Sequence, residues 1–121
     1  MVGRQERRKG SRIRTLMTAL VRPAHHRKPV LLRVVNLGPD GALCRSRVPL
    51  RLGAAFHAEF LFDGKCSLRR PRVIQVYCRV VWTAARIGPA RPVQEIGLKF
   101  VGIGENDRAT LTSVLSSPAA A

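Results

Sequence analysis

A mainly β domain is the fold this sequence predicts: six short antiparallel strands closing a small barrel, with one C-terminal α-helix docked on it. Three observations predict it. Apolar residues recur with a period of two in several runs. Clusters of Gly, Pro, Asn and Asp separate those runs. A single apolar stripe at helical spacing comes only near the end of the chain.

Residues 1–14, MVGRQERRKGSRIR, hold two glycines and a run of basic side chains with almost nothing apolar, so they are expected to form a flexible basic arm. The barrel and helix are expected over 15–117, and a disordered tail over 118–121. Residues 15–21 form a short apolar strand, and the prolines at 23 and 29 bracket a turn. Residues 30–35 are an apolar, β-branched run with one arginine, as in a buried strand. That run ends at Asn36-Leu-Gly-Pro-Asp-Gly41, where Pro39 presets φ and Gly41 is free to take a positive φ.

The second half alternates more clearly. Phe56, Ala58, Phe60 and Phe62 fall on one face of a strand, which places three phenylalanines in the core. After a turn at Asp63-Gly-Lys65, residues 73–83 send Ile74, Val76, Cys78, Val80 and Trp82 inward and Gln75, Tyr77 and Arg79 outward, a half-buried antiparallel pattern. A Gly/Pro-containing stretch over 84–93 separates this run from Ile96, Leu98 and Phe100, which alternate with Glu95, Gly97 and Lys99. Asn106 is placed to cap a helix whose Leu111, Val114 and Leu115 make one stripe.

Composition excludes several classes of function. At 121 residues and 45% hydrophobic, the chain suits one globular domain that needs neither disulfides nor a structural metal. No apolar run approaches the roughly 20 residues that span a bilayer, and no signal-peptide pattern comes after the basic N-terminus, so a cytoplasmic protein is expected. Cys44, Cys66 and Cys78 lack C-x-x-C spacing, and His25, His26 and His57 have no partners at metal-ligand spacing; no metal or cofactor is expected. The seven acidic residues are scattered without an acid/base pair, and neither a dinucleotide-binding glycine pattern nor a P-loop is present, which points away from an enzyme.

Charge is the outstanding compositional feature. The formal net charge is +15, and the 22 basic side chains include only four lysines, Lys9, Lys28, Lys65 and Lys99. Ten basic residues and one acidic residue lie in the first 33 positions. The sum implies an anionic partner, and the preference for arginine implies planar recognition of phosphate or purine.

Two short pieces then define a pattern. Arg8-Lys-Gly-Ser-Arg12 fits R-x-x-x-R, a spacing that also occurs at Arg4/Arg8 and Arg47/Arg51 and so carries weight only in combination with a second motif. About 25 residues later Asn36-Leu-Gly-Pro-Asp-Gly41 nearly fits [D/N]-x-S-x-x-G, and Val80-Val-Trp82 and Gly97-Leu-Lys-Phe100 look like the later strands. In this order and separation the chain resembles the PilZ domain family, from about Glu6 to the C-terminal helix. The resemblance implies a six-stranded antiparallel β-barrel with a C-terminal helix, and binding of the bacterial second messenger cyclic di-GMP by the two motifs together.

Carried onto this sequence, the resemblance assigns the ligand to Arg7, Arg8, Arg12, Asn36, Gly38 and Gly41. Arg8 and Arg12 would grip phosphate oxygens or guanine O6/N7 with their guanidinium forks, or stack on a purine. Asn36 would offer its amide to a guanine edge, Gly41 would let backbone approach the ligand, and the arm would order over it and signal to a protein partner. Arg7 adds a third planar cation, which fits an intercalated cyclic di-GMP dimer. Gly38 departs from the pattern, because it lacks the serine hydroxyl. Two other readings are an adaptor that binds protein but no nucleotide, with Gly38 as its mark, and a nonspecific nucleic-acid binder. The second is expected to fail because single-strand binders need exposed aromatics, and only Tyr77 is expected to point outward.

Overall fold

Six strands of alternating buried and exposed side chains curl into a closed antiparallel barrel in the computed structural model, which describes residues 17–24, 26–62, 72–87 and 92–116. The strands are β1 (Met17–Val21), β2 (Val30–Leu37), β3 (Gly41–Ser46), β4 (Ala55–Phe62), β5 (Arg72–Ile87) and β6 (Pro92–Ile103), followed by helix α1 (Glu105–Leu115). Their order around the barrel is β1-β2-β3-β6-β5-β4, closing back on β1. The arm with Arg7, Arg8 and Arg12, the turn at Asp63, and the 118–121 tail all lie outside the described residues.

The barrel interior is filled by the inward half of each strand. Met17, Ala19 and Val21 of β1 face Phe56, Ala58, Phe60 and Phe62 of β4, and Ile74, Val76, Cys78 and Val80 of β5 complete that side. Phe60 and Phe100 meet edge to face with centroids 5.6 Å apart, the arrangement that the ring quadrupoles favour. Cys44 and Cys78 lie in this apolar interior. Burial pushes both thiols up, Cys78 to about 12, which keeps them protonated and unreactive.

Several boundaries differ from the sequence reading, each for a physical reason. Residues 30–35 are half-buried rather than buried, because β2 turns Leu31 and Arg33 to solvent while Val30, Leu32 and Val34 enter the core. Residues 84–87 and 92–93 belong to strands rather than to a separating stretch: β5 and β6 stay paired out to Ile87 and Pro92. β3 carries no marked alternation and is specified by its partners β2 and β6. Helix α1 starts at Glu105, and its N-cap position is Gly104, two residues before Asn106, in extended conformation with no side-chain cap. Asn106 instead accepts a hydrogen bond from Thr110 Oγ1 on its carbonyl. Glu105 and Asp107 in the first turn complement the helix dipole, and the buried Leu111 and Val114 dock the helix on the barrel.

Candidate functional site

The turn after β2 is fixed from both sides. The Gly38 N–H donates to the Gly41 carbonyl at 2.9 Å, closing the turn, and the Asp40 carbonyl accepts from the Phe100 N–H at 2.9 Å, tying the turn to β6. Gly41 does not use a positive φ, which among the described glycines occurs at Gly53. Its requirement is proximity: a Cβ at Gly41 would sit 2.3 Å from the Leu98 carbonyl oxygen. Only glycine lets β3 approach β6 this closely, so the motif's last glycine closes the barrel beneath the turn.

Two bulges aim side chains at the same groove. On β2, Val34 pairs with Cys44 and Asn36 with Leu43, leaving Val35 as an extra residue. Strict alternation from Val30, Leu32 and Val34 would bury Asn36. The bulge reverses the parity, so Leu37 enters the core and Asn36 is half-exposed beside the turn. On β5, Val80 pairs with Leu98 and Trp82 with Gly97, leaving Val81 as the extra residue. The expectation that Trp82 belongs to the core is overturned: the side chain is 46% exposed.

Trp82 lies against Gly97, where a Cβ would come 3.3 Å from the Trp82 Cβ and 3.6 Å from its ring. The absent side chain at Gly97 is what lets the indole rest on β6. The result is an open groove of about 700 Å³, whose lining includes Asn36, Gly38, Gly41, Trp82, Gly97 and Lys99. Lys99 pairs across the ladders with Gly41 on one side and Arg79 on the other, so it brings a cation to the rim. The groove therefore offers an amide edge, a flat aromatic face, a turn exposed at Pro39 and Asp40, and a positive rim, the components that hold a phosphorylated purine.

Of the residues expected from sequence, Asn36, Gly38 and Gly41 share this groove, while Arg7, Arg8 and Arg12 lie outside the described residues. Trp82 and Lys99 were missed. The run Val80-Val81-Trp82 contains the only signal, two bulky residues in succession where alternation would allow one outward. Register also fixes where the arm attaches. Met17, the first described residue, pairs with Val34, so the chain enters β1 at the end of β2 that carries Asn36.

The sequence model of the family described as PilZ domain matches residues 6–117. No curated protein sequence matches the chain. Among solved structures, the chain is similar to the PilZ domain of YcgR from Escherichia coli with c-di-GMP, at 13% identity and TM-score 0.66, covering 86% of this chain and 85% of that one. It is similar to MrkH of K. pneumonia in its apo state, at 13% identity and TM-score 0.71, covering 86% and 47%. It is also similar to the inhibitor of motility MotI/DgrA of Bacillus subtilis, at 12% identity and TM-score 0.67, covering 87% and 47%. The chain thus spans about half the length of the latter two.

Proposed function

The chain belongs to the PilZ domain family, and on that premise we propose that it is a non-enzymatic receptor that binds cyclic di-GMP in the groove between the 38–41 turn and Trp82. The observation that carries this reading is the convergence of the two bulges, which turn Asn36 and Trp82 outward at the end of the barrel where the arm joins β1. Arg12 is five positions before Met17, an extended span of at most about 18 Å, and Asn36 is two residues beyond Val34, the partner of Met17. Arg8 and Arg12 are therefore within reach of a ligand seated on Asn36.

In this reading Arg8 and Arg12 fork onto phosphates or guanine edges, Asn36 meets a guanine edge, and Trp82 stacks a base. The 1–14 arm orders over the ligand, converting binding into a changed surface that a protein target recognises. Arg7 supplies a further planar cation, and the ligand is an intercalated dimer. Gly38 leaves one hydrogen bond unmade, which weakens binding by about 0.5 to 1.5 kcal/mol without abolishing it.

Calorimetric titration with cyclic di-GMP at moderate salt tests the reading. Saturable binding with two ligands per protomer is expected, and Arg8→Ala or Arg12→Ala should each weaken it about tenfold or more. Absence of binding would favour the adaptor that reads no nucleotide, and one ligand per protomer would remove the dimer. The outward Trp82, in a chain of net charge +15, also suits stacking on single-stranded nucleic acid. A competing oligonucleotide that displaces cyclic di-GMP at equal concentration would shift the assignment to that class.

A further inference from the structure

A second groove, of about 920 Å³, runs along the outer face where β1, β2 and the end of β3 meet. Its composition differs from that of the first. Arg33 and Arg45 are directly paired across β2 and β3 with both side chains outward, and Arg47 comes next on the exposed segment beyond β3. Like charges placed directly opposite oppose pairing. Among the described residues the only carboxylate in an ion pair is Glu95, whose Oε2 is shared between Arg45 at 3.2 Å and Arg86 at 2.7 Å. The groove thus retains a surplus of positive charge.

Beside the arginines lies an apolar strip. Leu31 is 62% exposed, Leu61 is 39% exposed, and the registers of β1 with β2 and β4 set Leu20 directly between Leu31 and Glu59 and Thr18 between Arg33 and Leu61. The wall carrying Arg47 is held in place: the Gln94 side chain bonds both the N–H and the carbonyl of Leu50, at 2.8 and 3.0 Å. Ser46 Oγ donates to the Val48 carbonyl at 2.6 Å and accepts from its N–H at 3.1 Å. Arginines on one side and exposed leucines on the other therefore face one concavity with fixed walls.

We propose that this groove docks an acidic, leucine-bearing segment of a target protein, with carboxylates on Arg33, Arg45 and Arg47 and apolar side chains over Leu31 and Leu61. Charge complementarity selects this occupant. Residues 1–16 of the chain are themselves basic and would be repelled, and 117–121 have no charged or leucine side chain to offer. A bilayer surface cannot enter a concavity, and the groove lacks the Trp and Tyr that anchor interfacial binders. Nucleic acid would find cations here, but the one aromatic residue in the lining, Phe62, is buried in the core and offers no face to its bases. The proposal rests on the reading of the domain as an adaptor for a protein, and it is independent of nucleotide binding.

Fluorescence anisotropy of two labelled Leu/Glu peptides, one at helical and one at alternating spacing, tests it on the full chain. At least one should bind saturably. Arg33→Glu with Arg47→Glu should weaken binding about tenfold or more, and Leu31→Ser should weaken it by a similar factor. All three substitutions are on exposed side chains and should leave thermal unfolding and cyclic di-GMP affinity unchanged, which separates failure of this groove from failure of the nucleotide reading. Failure of both peptides to bind, or equal binding to wild type and variants, would overturn the proposal. So would retained binding by peptides with Leu replaced by Ser, or tighter and equally Arg47-dependent binding of phosphatidylglycerol vesicles or an oligonucleotide.

Discussion

The two grooves occupy the same barrel and are made in opposite ways. The one beside the 38–41 turn depends on irregularity: extra residues at Val35 and Val81 reverse the alternation of β2 and β5 and bring out Asn36 and Trp82. The one beside Leu31 depends on regular alternation along β2, which delivers Leu31 and Arg33 to the outer face, and on the undisturbed register that sets Arg45 of β3 opposite Arg33. Bulges place single side chains with particular orientations, as recognition of a small rigid ligand requires. Regular ladders present rows, which suit an extended partner.

The largest expected effect comes from the backbone contact that supports the bulged groove. Gly41→Ala forces a Cβ onto the Leu98 carbonyl and should destabilise the fold by about 3 kcal/mol, read as a lower urea midpoint. An unchanged midpoint would mean that β3 and β6 separate freely and that the closeness of the strands is not what the glycine serves. Next in size is Trp82→Ala, which should cost about 1 to 3 kcal/mol of cyclic di-GMP binding while leaving the Leu/Glu peptides bound as before. Parallel loss at both grooves would erase the distinction between them.

A smaller effect sharpens the comparison from the other direction. Gly38→Ser restores a hydroxyl to the turn and should tighten cyclic di-GMP binding by about 1 kcal/mol. Calorimetry showing no gain would remove the missing hydroxyl as the cause of any weakness in the site. The smallest effect belongs to the regular face. The Arg86 hydrogen bond holds the Glu95 carboxyl below its usual value, against the opposing effect of burial and with help from Arg45. A carboxyl depressed in the folded state stabilises it above the unfolded-state pKa, and that contribution is lost as pH falls through the folded-state value. Glu95→Gln should therefore lower stability by less than about 1 kcal/mol at neutral pH and flatten the decline of the urea midpoint below roughly pH 5. An identical pH profile in the variant would show that the carboxyl does not contribute to the acid sensitivity.

Legibility in the sequence divides along the same line as the grooves. The phenylalanines of β4, the inward residues of β5 up to Val80 and the last strand were read correctly, because a strand's alternation is written in consecutive residues. Asn36, Gly38 and Gly41 were found as a motif, but the positive φ open to Gly41 is not used: what the fold requires there is closeness to Leu98, a residue 57 positions away. Trp82 was assigned to the core because Ile74, Val76, Cys78 and Val80 predict that parity. The helix start was misplaced because Asn106 is a better cap by type than Gly104, and the end of β6 fixes the chain first.

By itself, the sequence determined that the chain forms a β-barrel with a terminal helix, which side chains fill most of its core, and that an arginine-rich segment precedes the turn from Asn36 to Gly41. Those properties come from local periodicity and composition. Only the tertiary structure decided which strand neighbours which, where the ladders slip by one residue, and therefore that Asn36 and Trp82 share a groove while Arg33 and Arg45 share another. The physical reason is that register is a property of two strands at once. A bulge costs or gains nothing in the sequence of one strand until its partner's side chains and carbonyls are beside it.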